Sequence, residues 1–204
     1  MNDLERYLTY RDQIQTMDLI QWHGDSLVSK IIRWKTGASE THSGIACRLA
    51  DVDRVMTLEA ISKGAVPNPL SKVLRKYNGK AYWHPLKEEY RPYVAQAFNW
   101  MYDRIGTGYD YESVTRHLFG RVSADARALF CSEYVFLGWK IRCAEELTID
   151  LFKWLLDIKE VPLPSELNKI GLYEEDGKRI LYTPYSMGPK KYGLSQSPIT
   201  EQPR

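Results

Sequence analysis

The sequence predicts a mixed α and β domain in which a small antiparallel sheet packs against helices. Apolar and polar residues alternate over 42–49 and again over 54–61, as in two half-buried strands of a hairpin. Apolar residues recur at helical spacing over 91–105 and over 128–140. With 204 residues the chain can bury its own core, so we expect one domain over 1–183 and an irregular Pro- and Ser-rich tail over 184–204.

Three elements are predicted before the hairpin. Residues 3–15 are expected to form a short helix that directs Leu8 towards the core, and residues 18–22 (DLIQW) a strand. A second helix is expected over 26–35, because a serine at its start is a good N-cap and a glycine follows its end. Its apolar face includes Trp34.

The loop of the hairpin fixes which residues face one another. If Asp51 and Val52 are the two loop residues, Glu59 lies opposite Gly44 and diagonal to His42 on the same face. Diagonal neighbours are separated by about 7–8 Å, which a glutamate and an imidazole can bridge, and Gly44 leaves space between them. A three-residue loop would reverse the parity and place the two side chains on opposite faces. The loop therefore decides whether His42 and Glu59 meet.

Later elements are predicted from prolines and from helical periodicity. Pro67 and Pro69 mark a connection between elements. Pro85 cannot donate a ladder hydrogen bond, so the strand over 81–86 is expected near a sheet edge. Helices are predicted over 70–77, 91–105, 109–119, from near Cys131 to about residue 140, and over 144–156, and a hairpin over 172–182 with its turn at Asp176-Gly177.

The segment 128–140, ALFCSEYVFLGWK, places a cysteine where we expect the first turn of a buried helix. Ser132 and Glu133 are residue types that helices favour in the first turn, which puts the helix start near Cys131. Unpaired backbone N–H groups and the positive end of the helix dipole stabilise a thiolate there and lower its pKa. Cys131 is therefore a candidate nucleophile, although a lone cysteine is more often an inert buried residue.

Composition argues against several classes of function. A net charge of +2 without a basic block gives no basis for nucleic-acid binding. The three cysteines form neither a disulfide framework nor Cys-x-x-Cys pairs, and the histidines lack metal-ligand spacing, so we expect no metal and no other cofactor. The N-terminus lacks a secretory signal and no apolar run reaches the length of a membrane span. We therefore expect a soluble protein made in the cytoplasm, which another route could still export.

Three residue types in the chain suit thiol catalysis. A thiol nucleophile needs a base to take its proton and a polar group that holds the base in the right tautomer. Cys131, His42 and Glu59 supply these types, in the chain order His, acid, Cys. Chain order does not constrain such a mechanism, because any connectivity can assemble the geometry. Without further context, His42 and Glu59 are equally well explained as ordinary strand residues.

The run over 18–46, DLIQWHGDSLVSKIIRWKTGASETHSGIA, resembles the opening signature of the circularly permuted branch of the NlpC-type, papain-like hydrolases, the YiiX-like proteins. In that branch a GDLI strand, a Ser-rich helix ending near Arg and Thr-Gly, and S-H-x-G-I follow in this order. Tyr109-Asp110-Tyr111, Cys131-Ser132-Glu133 and Pro164-Ser165-Glu166-Leu167 fit later pieces of the pattern. Met17 and Thr41 depart from it, where Gly and Ser are usual.

The resemblance implies a papain-like α+β fold of the permuted NlpC type. It implies that Cys131 is the nucleophile, His42 the general base and Glu59 the residue that orients His42. Backbone N–H groups at the start of the Cys131 helix are then expected to hold the oxyanion. Glu133, Tyr109 and Tyr134 are candidate substrate-binding residues, although helix capping and core packing explain them equally well.

Three functions follow from this interpretation. The first is a thiol hydrolase that cleaves a small peptide or acyl substrate, most naturally as a peptidase or amidase on cell-wall peptides. The second is an acyltransferase or a lipid or ester deacylase of the lecithin:retinol acyltransferase type, whose members carry Asn-Cys-Glu-His where this chain has Phe130-Cys131-Ser132-Glu133. The third is a non-catalytic binding module on the same fold.

Overall fold

A computed structural model describes residues 3–24, 30, 33–34, 39–61, 64–77, 79–106, 126–159 and 161–181. Within them, six strands form one antiparallel sheet: β1 (Leu19–Gly24), β2 (His42–Leu49), β3 (Arg54–Ile61), β4 (Gly64–Pro69), β5 (Gly79–His84) and β6 (Lys178–Leu181). Their spatial order is β4-β3-β2-β1-β5-β6, which puts β2 and β1 at the centre. The mixed α and β architecture that the sequence predicts is confirmed.

Helices cover both faces of this sheet. The α-helices among the described residues are α1 (Asp3–Arg11), α2 (Leu70–Lys76), α3 (Val94–Tyr102) and α4 (Ala126–Trp139). A π-helical segment over Lys140–Glu146 continues α4, and 3₁₀ segments lie at Ala50–Val52, Glu88–Tyr93, Asp150–Asp157 and Leu167–Lys169. Within the described residues, no helix has the length and apolarity of a membrane span.

The sheet is buried on both faces. Leu19 and Ile45 belong to a core cluster formed with α3 and α4, whereas their chain neighbours Ile20 and Ala46 belong to a second cluster formed with α1 and α2. Successive side chains of a strand point to opposite faces, so neighbouring residues serve the two layers. The helix α4 lies against the first face, and every residue over 131–139 is buried.

The strands β2 and β3 pair in the register that the hairpin analysis predicts. Ile45 pairs with Leu58, and the same register places Glu59 opposite Gly44. The loop itself is longer than predicted, with a 3₁₀ turn over Ala50–Val52 and a left-handed residue after it. Because the loop is longer by an even number of residues, the same side chains still share a face of the sheet. The predicted register is therefore confirmed.

Of the two predictions made from prolines, one is wrong. Pro67 and Pro69 predict a connection, but both lie in β4, which is an edge strand of the sheet. An edge strand tolerates proline because its missing N–H can face away from the only partner strand. Pro85 predicts a strand near a sheet edge, and β5 lies next to the edge strand β6, with β1 on its other side. Pro85 follows the last residue of β5, so it lies outside that ladder.

The hairpin predicted over 172–182 is wrong. Tyr173 forms a bridge with Leu86, whereas β6 pairs with β5 through Tyr82 and Trp83. Both sides of the Asp-Gly turn thus add to the β5 region instead of pairing with each other. A turn signal indicates that the chain reverses, but the partner strand is chosen by the tertiary structure.

Two predicted helices are shorter or interrupted. The helix predicted over 91–105 is α-helical only in α3, because Pro92 lies in the preceding 3₁₀ segment and has no N–H to donate. The helix predicted over 144–156 is interrupted by Thr148, which has a left-handed φ of 48°. The chain there changes from the π-helical segment to a 3₁₀ segment.

Two apolar residues predicted to face the core are exposed. Leu8 is 54 % exposed and Tyr7 is the buried residue of α1, while Trp34 is 86 % exposed. The predicted helix over 109–119, the tail over 184–204 and most of the helix over 26–35 lie outside the described residues.

Candidate active site

His42 and Glu59 form a hydrogen-bonded pair between β2 and β3. Nε2 of His42 lies 2.8 Å from Oε2 of Glu59, and the two side chains are 22 % and 8 % exposed. A Cβ atom at Gly44 would lie 2.9 Å from Cγ of Glu59 and 2.8 Å from the carbonyl oxygen of Leu58, so only glycine leaves room for this glutamate. The imidazole also packs against Trp22, with ring centroids 5.2 Å apart. The structure therefore brings the two residues together, while their catalytic roles stay predictions.

The thiol of Cys131 lies beside the same imidazole. Cys131 is fully buried in α4 and interacts with His42 through a hydrogen bond and through charge. Because Nε2 of His42 faces Glu59, Nδ1 is the ring nitrogen left for the thiol. Side chains from α4 and β3 thus converge on one histidine of β2, as an acid–base–nucleophile arrangement requires.

The electrostatics of the site favour a charged pair. Burial lowers the pKa of His42, but the neighbouring Cys131 and Glu59 outweigh burial and raise that pKa from 6.5 to about 10. Burial raises the pKa of Cys131, and the interaction with His42 outweighs it, so the pKa of the thiol is lowered overall. The raised pKa of His42 and the lowered pKa of Cys131 both favour transfer of one proton from the thiol to the imidazole. The site therefore favours a thiolate–imidazolium pair, with Glu59 beside the positive ring.

The expected position of Cys131 in its helix is wrong. The helix α4 begins at Ala126, five residues before Cys131, so the cysteine lies beyond the first turn. The backbone N–H groups of an α-helix beyond its first four residues bond to the carbonyl of residue i−4. The helix start therefore supplies neither the thiolate stabilisation nor the oxyanion donors expected from the sequence. The Ser-Glu pair that suggested a helix start lies inside a buried helix instead.

Ser43 affects the thiol of Cys131, although nothing in the sequence singles it out. The backbone N–H and the hydroxyl of Ser43 both lower the pKa of the Cys131 thiol, after the larger contribution of His42. Ser43 is fully buried and lies opposite Gln21 in the pairing of β2 with β1. The missing information was that α4 packs against β2.

Two of the three candidate substrate-binding residues, Glu133 and Tyr134, lie among the described residues. Glu133 is buried, and its Oε1 has no hydrogen-bonding partner among the described residues. Burial raises the pKa of Glu133 to about 7. Tyr134 is buried in the core, and its hydroxyl donates to the carbonyl oxygen of Met101 in α3. Tyr134 therefore joins two helices, while Tyr109 lies outside the described residues.

The other two cysteines differ from Cys131 in their electrostatic environment. All three lie among the described residues, and none is in a disulfide. Burial raises the pKa of Cys47 and raises that of Cys143 to about 12. Cys131 is thus the cysteine whose pKa is lowered. Across the described part of the chain, His, Cys, Asp and Glu side chains do not gather in groups of three suited to a metal ion.

Asp18 is the second buried carboxylate near the centre of the sheet. Its oxygens accept hydrogen bonds from the N–H groups of Gln15 and Leu86, from Nε1 of Trp83 and from Nη2 of Arg91, at 2.6 to 3.0 Å. The residue is fully buried. It therefore joins the loop before β1, the end of β5 and the 3₁₀ segment over Glu88–Tyr93, which is a structural role.

Comparisons with known proteins give a weak likeness to a solved structure. No family model matches the chain, and no curated protein matches it. The chain is similar to the crystal structure of the metalloprotein yiiX from Escherichia coli O157:H7, with 21 % identity over 74 % of this chain and 86 % of that chain and a TM-score of 0.45. The site is therefore interpreted from its own geometry.

Proposed function

We propose that this chain is a cysteine hydrolase that cleaves an amide bond with Cys131 as nucleophile, His42 as base and Glu59 as the residue that orients His42. The observation that carries the proposal is the imidazole of His42, which contacts a carboxylate on one side and a thiol of lowered pKa on the other. A thiolate is the reactive form of cysteine, and a histidine held between these two groups is its usual partner.

The mechanism follows from the charged pair. The Cys131 thiolate attacks the carbonyl carbon, the C–N bond breaks, and the protonated His42 gives its proton to the leaving amine. An acyl thioester remains on Cys131. His42, now neutral, takes a proton from water as the water attacks, and the acid product leaves with the thiolate restored. Glu59 accepts a hydrogen bond from Nε2 throughout, which leaves Nδ1 to exchange the proton.

We propose cell-wall-type peptides as the substrate class, because the resemblance to permuted NlpC-type hydrolases implies peptide stems. An acyltransferase or an ester deacylase would form the same thioester intermediate. Either enzyme would differ from an amidase in the acyl donor or in the group that accepts the acyl chain. A binding module would retain the fold without turnover. We also propose that the fold is a circularly permuted form of the papain-like fold.

Turnover assays on the purified protein separate these functions. Muropeptides and fatty-acyl p-nitrophenyl esters are offered to the wild type and to the variants Cys131→Ala and His42→Ala. We expect release of an amine from muropeptides, loss of that activity with Cys131→Ala, and a loss of about 10²–10⁴-fold with His42→Ala. Cys47→Ala is the matched control and should keep full activity.

Other outcomes select the rival functions. Cleavage of the esters alone, with acyl transfer to an added amine or alcohol, would favour the acyltransferase. Binding without turnover would favour the binding module. Full activity of Cys131→Ala would contradict the thiol mechanism.

The pH dependence of alkylation tests the charged pair directly. Because the pKa of Cys131 is lowered, its thiolate should persist as the pH falls through the range in which an ordinary thiol protonates. Because the pKa of His42 is raised to about 10, its positive charge stabilises the folded protein below pH 6.5, and this contribution is lost as the pH rises through about 10. We therefore expect iodoacetamide to modify Cys131 at neutral pH before Cys47 and Cys143.

Exposure alone predicts the opposite order of modification. Cys131 and Cys143 are fully buried, whereas Cys47 is partly exposed. Peptide mapping by mass spectrometry after alkylation at several pH values measures the order. Modification of Cys47 first, with Cys131 reacting only above pH 8, would contradict the pair.

A further inference from the structure

The indole of Trp22 forms the side of the site that faces β1. Trp22 and His42 are direct partners in the pairing of β1 with β2, a position in which side chains on the same face meet. Their ring centroids are 5.2 Å apart and their planes are tilted by 38°. This tilt is closer to a stacked arrangement than to a T-shaped one. The imidazole and the indole are therefore in aromatic contact.

Trp22 meets His42 as a ring and not as a hydrogen-bond donor. The Nε1 atom of Trp22 is buried and has no hydrogen-bonding partner among the described residues, although a buried indole N–H usually has one. The residue is fully buried in the core cluster formed with α1 and α2. Tyr77 packs against the same indole, with ring centroids 6.2 Å apart. The core therefore holds the indole in position beside the imidazole.

The groups around His42 differ in charge. Glu59 of β3 supplies a carboxylate at 2.8 Å, and Cys131 of α4 supplies the thiol, whereas β1 supplies an uncharged ring. The face of an indole carries negative potential and attracts a cation within about 6 Å of the ring centroid, most strongly where water is excluded. In the proposed reaction His42 alternates between a cation and a neutral ring. The contact with Trp22 therefore favours one of these two states.

We propose that Trp22 is a positioning residue that stabilises the imidazolium of His42 through the π system of its indole and keeps the imidazole beside Glu59. This assignment rests on the proposed thiol mechanism, in which His42 is protonated while the thiolate attacks. Trp22 acts through His42 and does not contact the reacting atoms. Its effect is to extend the pH range of the charged pair on the alkaline side.

A titration of His42 by NMR tests the contact without any turnover. The titration uses the Cys131→Ala protein, so that the thiol does not contribute, and the signal of His42 is identified by its loss in His42→Ala. We expect Trp22→Leu to lower the pKa of His42 by about one unit and Trp22→Phe to lower it by less. If the indole only excluded water, the same changes would raise that pKa, because the cation would gain hydration. The sign of the shift therefore decides the role of Trp22.

The matched control for the loss of an indole is Trp83→Phe. Trp83 is buried in the same core cluster, but its ring lies against Tyr10, with centroids 5.8 Å apart. This change should leave the pKa of His42 unchanged. An equal fall in the pKa of His42 with Trp83→Phe and with Trp22→Phe would overturn the proposal.

Replacement of tryptophan by 5-fluorotryptophan tests the electrostatic effect at nearly constant size and burial. Fluorine withdraws electron density from the ring face, so the pKa of His42 should fall in the labelled Cys131→Ala protein. All six tryptophans of the chain are labelled together, so the control is the labelled protein that also carries Trp22→Phe. Fluorine should not shift the pKa of His42 in this control. Absence of a shift in the first protein, or an equal shift in both, would overturn the proposal.

The pH profile of the active protein separates this proposal from the thiol mechanism. The acid limb of kcat/KM reports the thiol, and the alkaline limb reports the imidazolium. Trp22→Phe should move the alkaline limb to lower pH and leave the acid limb in place, because the indole interacts with His42 in both states of the thiol. A lower rate with both limbs unmoved would indicate a merely structural role. Absence of turnover in the wild type would overturn the thiol mechanism, and the titration of His42 would still decide the role of Trp22.

Discussion

Asp18 and Glu59 are both buried carboxylates of the central sheet, but they differ in how fully they are hydrogen-bonded. Asp18 accepts four hydrogen bonds from three segments, including one from the guanidinium of Arg91. Glu59 bonds to His42 through Oε2, and its Oε1 has no partner among the described residues. A saturated carboxylate fixes the chain around it. A carboxylate with one partner can instead respond to a change in the charge of that partner.

The comparison predicts opposite effects on stability and activity. Substitution of Asp18 should lower the free energy of unfolding, because donors from three segments lose their acceptor. Substitution around Glu59 should mainly change the reactivity of His42, because few other groups depend on that carboxylate. Each of the following changes tests one side of this difference.

The largest expected effect is that of Asp18→Ala on the free energy of unfolding. Removal of one partner of a buried ion pair typically costs about 3–5 kcal/mol, since the other partner is left buried without its counter-charge. Arg91 is only 15 % exposed on its side chain, so it fits this case. Urea denaturation followed by circular dichroism measures the loss. A loss below about 1 kcal/mol would contradict the structural role of Asp18.

The next expected effect is that of Gly44→Ala on activity. A Cβ at this position would overlap Cγ of Glu59 at 2.9 Å and the carbonyl oxygen of Leu58 at 2.8 Å. The side chain of Glu59 must then move away from His42, and loss of a charge-assisted hydrogen bond lowers kcat/KM by about 100-fold. Kinetic assays on the substrate found for the wild type measure this effect.

A double-mutant cycle shows whether Gly44→Ala acts through Glu59. In the Gly44→Ala background, Glu59→Gln should have almost no further effect, because the hydrogen bond is already lost. Additive losses would mean that Gly44 acts on the site in another way.

The smallest expected effect is that of Glu59→Gln in the wild-type background. Glutamine keeps a carbonyl acceptor for Nε2 of His42 but removes the negative charge, so kcat/KM should fall by about tenfold. The free energy of unfolding should change little, in contrast to Asp18→Ala. Loss of stability as large as that of Asp18→Ala would remove the difference between the two carboxylates.

Local sequence patterns predict the half of the site that lies on one hairpin. Strand alternation and an even loop place Glu59 diagonal to His42, and Gly44 leaves the space between them. These features depend on residues less than 20 positions apart, so they can be derived without the rest of the fold. The longer loop does not affect the result because parity is preserved.

Contacts between distant segments account for what the sequence did not predict. The helix α4 begins before the expected position because tertiary packing, with every residue over 131–139 buried, overrides the local start signal of Ser132 and Glu133. The packing of α4 on β2 then decides that Cys131 reaches His42. The same applies to β4 and β6, whose strand partners were not evident from their own residues.

The sequence by itself determined the antiparallel hairpin and, on condition of a loop with an even number of residues, its register and the meeting of His42 with Glu59, because period and parity are local properties of the chain. Only the tertiary structure decided that Cys131 reaches His42 and that Asp18 joins three segments. The physical reason is that these contacts join residues far apart in the chain, and their energies depend on which faces pack together.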